Sequence, residues 1–202
     1  MSAVLVLASA SPRRSALLNQ IGVAHEVLPA EIDEGCLGTE SAEQCVLRLA
    51  QQKALEVQRR RGSALPVLGA DTAVVLDDEM LGKPRDRAAA LAMLARLSGR
   101  THTVLSGVAV VWAGRLRATL SRSEVRFRSL LSAECEAYWA SGEPAGKAGA
   151  YAIQGLGAVF VQELRGSYSG VMGLPLFETA GLLAEVGVSL WSKSQARPGA
   201  ME

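Results

Sequence analysis

Apolar positions along this chain alternate between two rhythms. Short continuous runs of aliphatic residues, beginning with Val4-Leu5-Val6-Leu7, read as buried strands. Between them lie stretches with apolar residues three and four apart, the pattern of helices that bury one face. After the turn Ser9-Ala10-Ser11, Ser11 suits an N-cap and Pro12 the first helical position. Ala16-Leu17-Leu18 continues that helix and Gly22 closes it. His25–Pro29 reads as a short strand, followed by the acidic loop Glu31-Ile32-Asp33-Glu34-Gly35. Ser41 with Gln44 forms a capping box for a helix reaching about Arg61. Its stripe uses Ala42, Val46, Leu49, Ala50, Ala54 and Val57, and Lys53 falls on the same face.

Pro66–Leu76 reads as one long buried strand, or two pieces joined by a kink. Asp77-Asp78 turns the chain and Glu79-Met80-Leu81 returns it. The loop Gly82-Lys83-Pro84-Arg85 precedes a helix capped by Asp86 and ended by Gly99. Two strands follow, Thr101–Trp112 and Arg115–Arg128, across Ala113-Gly114; the second alternates apolar and basic positions. Ser132 is expected to cap a helix through Trp139. A glycine-rich segment, Gly142–Gly157, leads to a strand over Ala158–Leu164 and a last helix from about Pro175 to Glu185. Ser192–Glu202 reads as a disordered tail. Strands alternating with helices indicate α/β organisation.

At 202 residues the chain suits one domain or two joined lobes. It is 49% hydrophobic and 20% charged, enough to bury a sizeable core. A net charge of +1 argues against a footprint for duplex DNA or a membrane surface, so local basic clusters matter more than the total. Cys36, Cys45 and Cys135 show no C-x-x-C spacing. Neither a disulfide framework nor a zinc site is expected, and free thiols in a reducing cytoplasm are the simple reading. No apolar run approaches the ~20 residues of a membrane span, and no secretion signal is expected.

Candidate chemistry changes the picture most at the first helix. A helix start carries free N–H groups and partial positive charge, so Arg13 and Arg14 are unfavourable there unless an anion sits among them. Backbone N–H groups, the hydroxyls of Ser9 and Ser11 and two guanidiniums suit phosphate. Asp71 stands inside an apolar run, where a carboxylate costs several kcal/mol unless paired, hydrogen-bonded or metal-bound. Lys53 on an apolar stripe must snorkel out or meet an anion. Lys83 sits in a stiff loop and Glu34 in an acidic one. No G-x-x-x-x-G-K-[ST] or G-x-S-x-G occurs, and His25 and His102 read as ordinary strand or loop residues. The remaining cations and carboxylates suit metal-assisted phosphoryl chemistry.

Five segments together carry a resemblance. Ala8-Ser9-Ala10-Ser11-Pro12-Arg13-Arg14, Gly69-Ala70-Asp71-Thr72, Gly82-Lys83-Pro84, Tyr151-Ala152-Ile153-Gln154-Gly155 and Gly173-Leu174-Pro175 resemble the Maf family of nucleoside triphosphate pyrophosphatases, from about residue 5 to 185. The resemblance implies an elongated mixed sheet flanked by helices, with two lobes around a deep cleft, as in inosine triphosphate pyrophosphatases. A single domain over residues 1–190 is expected, with 191–202 as tail. It implies hydrolysis of a nucleoside triphosphate to monophosphate and pyrophosphate with Mg2+ or Mn2+, by a homodimer. Asp71 resembles the proton acceptor, and Glu34 its acidic partner at the metal. Ser9, Arg14, Lys53 and Lys83 resemble the phosphate-contacting group. Arg13, Thr72 and Gln154 resemble the selectivity positions of the branch acting on dTTP and UTP. Gln154 offers a donor and an acceptor that a uracil or thymine edge can meet, although other bases can as well. Two rivals stay open: the same reaction on modified or purine triphosphates such as 7-methyl-GTP, and a nucleotide-binding regulator of septum formation.

Overall fold

The computed structural model describes residues 2–62 and 64–191; the expected tail over 192–202 lies outside them. The elements are β1 (Leu5–Leu7), α1 (Pro12–Gln20), β2 (His25–Val27), α2 (Ala42–Arg61), β3 (Val67–Leu76), β4 (Glu79–Leu81), α3 (Arg87–Leu97), β5 (Thr101–Trp112), β6 (Arg115–Phe127), α4 (Ser132–Ala140), β7 (Val161–Arg165), α5 (Tyr168–Met172) and α6 (Leu176–Glu185). Seven strands form one mixed sheet in the order β2-β1-β3-β5-β6-β7, with β4 also pairing β3. The expected mixed sheet flanked by helices is the architecture observed.

The hairpin turns follow local chemistry. Asp77 and Asp78 have φ of 53° and 62°, and Ala113 and Gly114 have 49° and 74°. Both are two-residue connections with positive φ at each position, whose twist matches the flanking strands. The capping box of α2 is formed: Gln44 N–H donates to Ser41 Oγ at 3.2 Å, and Ser41 N–H donates to Gln44 Oε1 at 2.9 Å. Asp86 caps α3 by accepting from Ala89 N–H at 2.7 Å.

Three expectations shift, and one short helix was not among the expected elements. Leu131, not Ser132, occupies the cap of α4; it offers no side-chain acceptor, and Glu134 accepts from the Leu131 N–H at 2.9 Å, which ties the helix start from the other side. Residues 156–160 make a 3₁₀ turn before β7, so the strand expected over 158–164 is displaced to Val161–Arg165. The short helix α5 carries no apolar repeat long enough to announce it. Cys36 and Cys45 are joined in a disulfide, contrary to the free thiols expected. The acidic loop folds back over the start of α2 and brings their Cα atoms to 5.5 Å, a path that spacing along the chain does not report. Cys135 is a buried free thiol.

β3 organises the molecule. One edge pairs with β5 from Val67 to Val75. The other edge pairs with β1 at Val67 and Leu68, then with β4 at Val74–Leu76. Between them residues 69–73 have no strand partner on that side among the described residues, which leaves a notch in the sheet. Core clusters lie on both sides of this notch. Leu5, Leu7, Leu17, Leu68 and Leu183 pack at one end, while Leu94, Leu97, Val125, Phe127 and Phe160 pack at the other. Helix α2 crosses the opposite face, burying Ala50, Ala54 and Val57 against Val67, Ala109 and Val111.

Two glycines let α2 approach closely. A Cβ on Gly69 would lie 2.3 Å from the Ala50 carbonyl oxygen, and one on Gly107 2.9 Å from that of Val46. Gly107 sits directly opposite Asp71 in the β3–β5 register. Close helix-to-sheet contact therefore falls where Lys53 must meet Asp71.

Candidate active site

Asp71 and Thr72 are consecutive on β3, so their side chains leave opposite faces of the sheet, both at the notch. On one face Asp71 meets helix α2. Lys53 Nζ donates to Asp71 Oδ1 at 2.6 Å and pairs with Glu34 Oε1 at 2.6 Å. Its side chain is only 7% exposed, against 14% for Asp71 and 49% for Glu34. The buried ammonium expected from the helical stripe thus has two carboxylates to compensate its desolvation. Lys83 Nζ, in the exposed loop after β4, reaches Glu34 Oε2 at 3.5 Å. Burial alone would raise the Glu34 carboxyl, but hydrogen bonding and charge from Lys53, with Lys83 behind it, hold it below the ordinary carboxylate range.

On the other face Thr72 Oγ1 meets Ser106 Oγ at 3.0 Å, and Ser106 donates to the Gly170 carbonyl at 2.6 Å. Arg14 is buried, and each of its three guanidinium nitrogens donates one hydrogen bond. Nε donates to the Gly173 carbonyl at 2.8 Å, one terminal nitrogen to Ser9 Oγ at 2.9 Å, and the other to Thr72 Oγ1 at 3.4 Å. Arg13 Nε donates to the Met172 carbonyl at 3.2 Å. Both arginines therefore have protein partners at the end of α5, so an anion is not the sole reason for basic residues on the first turn of α1. Burial lowers the pKa of each, and for Arg14 the nearby Asp71 works against that. Ser11 makes no side-chain cap; its N–H donates to Ser9 Oγ at 3.2 Å.

These groups border one cavity of about 560 Å3, well within the range for small-molecule sites. Every residue singled out from the sequence lines it: Ser9, Ser11, Arg13, Arg14, Glu34, Lys53, Asp71, Thr72, Lys83 and Gln154. Gln154 is exposed there. Lys147 also lines the cavity and was missed. Burial and the charge of Arg13 lower its pKa, which marks two cations facing one space. Nothing in its local glycine-rich sequence distinguishes it from a solvated lysine. The charged lining is five cations and two carboxylates, which favours a polyanion.

The model of the Maf family, "Maf-like protein", matches residues 4–186. The chain belongs to the Maf family. A dTTP/UTP pyrophosphatase from Methylococcus capsulatus is 54% identical over 184 residues, covering 91% of each chain. A second dTTP/UTP pyrophosphatase, from Alkalilimnicola ehrlichii, is 55% identical over 186 residues, covering 90% of this chain and 92% of that one. Among solved structures, a nucleoside-triphosphatase / dITP/XTP pyrophosphatase from Mycobacterium abscessus is a distant likeness. Its TM-score is 0.46 and its identity 19%, over 90% of this chain and 93% of that one.

Among the described residues no three His, Cys, Asp or Glu side chains gather as a metal cage. Mg2+ in phosphoryl-transfer sites needs no such cage, since one or two carboxylates plus substrate phosphates suffice. Asp71 and Glu34, converging on one ammonium from two sides, are a donor pair of that kind. No helix among the described residues is long and apolar enough to cross a membrane.

Proposed function

We propose that this Maf-family chain hydrolyses dTTP and UTP to the monophosphate and pyrophosphate, with Mg2+ or Mn2+. The observation that carries the reading is the Asp71–Lys53–Glu34 group set in a cavity with excess positive charge. The close relatives, dTTP/UTP pyrophosphatases at 54% and 55% identity, support the choice of base. A water oxygen forms a bond to the α-phosphorus. The bond from that phosphorus to the oxygen bridging to the β-phosphate breaks, and pyrophosphate leaves with the bridging oxygen.

Asp71 takes the water's proton, its carboxylate held in place by Lys53. Asp71 and Glu34 would also hold the divalent ion, which when bound neutralises phosphate charge. Lys53, Lys83 and Arg14, with Ser9 and Ser11, face the phosphates and stabilise the charge that develops on the leaving group. Arg13, Thr72 and Gln154 meet the nucleoside end. The family match over 4–186 supports a single catalytic domain within residues 1–190.

The test is pyrophosphate release from a panel of triphosphates, with Mg2+ or Mn2+ and with chelator. Release from dTTP and UTP that stops on chelation is expected. Asp71→Asn is expected to abolish turnover while nucleotide binding persists; undiminished activity in that variant would refute the role of Asp71. Release from 7-methyl-GTP instead would keep the reaction and refute the base assignment. Binding without release from any nucleotide would leave a regulator.

A further inference from the structure

The segment that carries Gln154 has neither helix nor strand between Tyr151 and Gly155; its own structure is a single turn in which Gly155 N–H donates to the Ala152 carbonyl at 3.3 Å. It is nevertheless tied down on both sides of Gln154. Glu143, in the loop after α4, accepts from Leu156 N–H at Oε2 (2.9 Å) and from Gly157 N–H at Oε1 (3.0 Å). The same Oε1 accepts from the Tyr138 hydroxyl at 2.7 Å. Tyr138 Oη in turn accepts from Ala152 N–H at 3.0 Å. One carboxylate, directly and through one phenol, thus satisfies three backbone donors that flank Gln154 at positions 152, 156 and 157.

The glycines of this segment have a steric reason. A Cβ on Gly155 would lie 2.1 Å from Glu143 Oε2, and one on Gly157 2.6 Å from Tyr138 Oη. The backbone must lack side chains there for the clamp to reach it. Gln154 itself is exposed, and its side-chain amide has no protein partner among the described residues. The part of the cavity that its amide can reach is therefore set by where the backbone places its Cα and Cβ.

We propose that Glu143, acting with Tyr138, is a positioning residue that fixes the Gln154 backbone and thereby sets base selectivity. The inference rests on the reading that Gln154 meets the base. An unclamped segment samples many orientations, so a correct base must order it on binding, and discrimination between bases falls. Glu143 touches no substrate and should contribute to KM and selectivity rather than to the chemical step.

The experiment measures kcat and KM for dTTP, UTP and a purine triphosphate in four proteins: wild type, Gln154→Ala, Glu143→Ala and Gly155→Ala. Gly155→Ala keeps every clamp side chain and displaces the carboxylate sterically, so it serves if Glu143→Ala fails to fold. Expected for Glu143→Ala and Gly155→Ala are a KM for dTTP raised about tenfold, a pyrimidine-over-purine ratio reduced by a similar factor, and kcat within about threefold. Glu143→Gln, which retains one acceptor oxygen, should recover part of the ratio. A purely structural role would lower kcat equally for all nucleotides and leave the ratio intact, and that result overturns the proposal. If Gln154→Ala flattens the ratio while Glu143→Ala and Gly155→Ala keep it, the positioning role alone is wrong. If Gln154→Ala leaves the ratio unchanged, the reading of Gln154 falls, and this inference with it.

Discussion

Opening the Cys36–Cys45 bridge is expected to cost this protein about 2.6 kcal/mol. The two cysteines are nine positions apart, and the loop-closure relation for a cross-link of that span gives about 2.6 kcal/mol of lost denatured-state restriction. The cleaner perturbation is Cys36→Ser. Cys36 is exposed, so serine there is solvated, whereas Cys45 is fully buried and a serine would bury a hydroxyl without a partner. Urea unfolding reads the effect. With a slope of about 2 kcal/mol/M, the midpoint should fall by roughly 1.3 M in Cys36→Ser. Wild type in dithiothreitol should fall by the same amount, and dithiothreitol should not move the variant further. Thiol titration of the unfolded, unreduced wild type should find Cys135 alone. Three reactive thiols, or a wild-type midpoint indifferent to reductant, would refute the bridge and restore the reading of three free cysteines.

Other consequences are as direct. His102 is buried against Tyr151 and Phe127, and burial pushes its pKa down to about 4. The unfolded chain binds that proton near pH 6.5, so stability falls as pH drops from 6.5 toward 4. The share at pH 5 is about 2 kcal/mol relative to pH 7.5, and it should vanish in His102→Gln. Gly69→Ala drives a methyl into the Ala50 carbonyl of α2 and should cost about 3 kcal/mol, with Lys53 parted from Asp71; thermal unfolding and turnover check both. Lys53→Met leaves Asp71 and Glu34 facing each other without their ammonium. It should lower kcat by about 10²–10³-fold in the pyrophosphate assay, and activity near wild type would refute a phosphate-facing role.

Local sequence determined most of the elements and singled out most of the charged residues that line the cavity. The capping box of α2, the Asp86 cap and the two-residue turns at 77–78 and 113–114 form as their chemistry dictates, because each is decided within four residues. Asp71 in an apolar run and Lys53 on an apolar stripe were legible as anomalies, since burying charge is costly wherever it happens. The tertiary structure decided what resolves each anomaly. That Lys53 compensates Asp71 depends on two glycines, on different strands, admitting α2 to the sheet. That Arg13 and Arg14 rest on the carbonyls of residues 172 and 173 depends on contacts 159 positions away. The disulfide depends on the path of a loop, and the clamp on Gln154 on the meeting of two irregular segments. Periodicity reports which face of an element is buried; it carries no record of which distant atoms share the space.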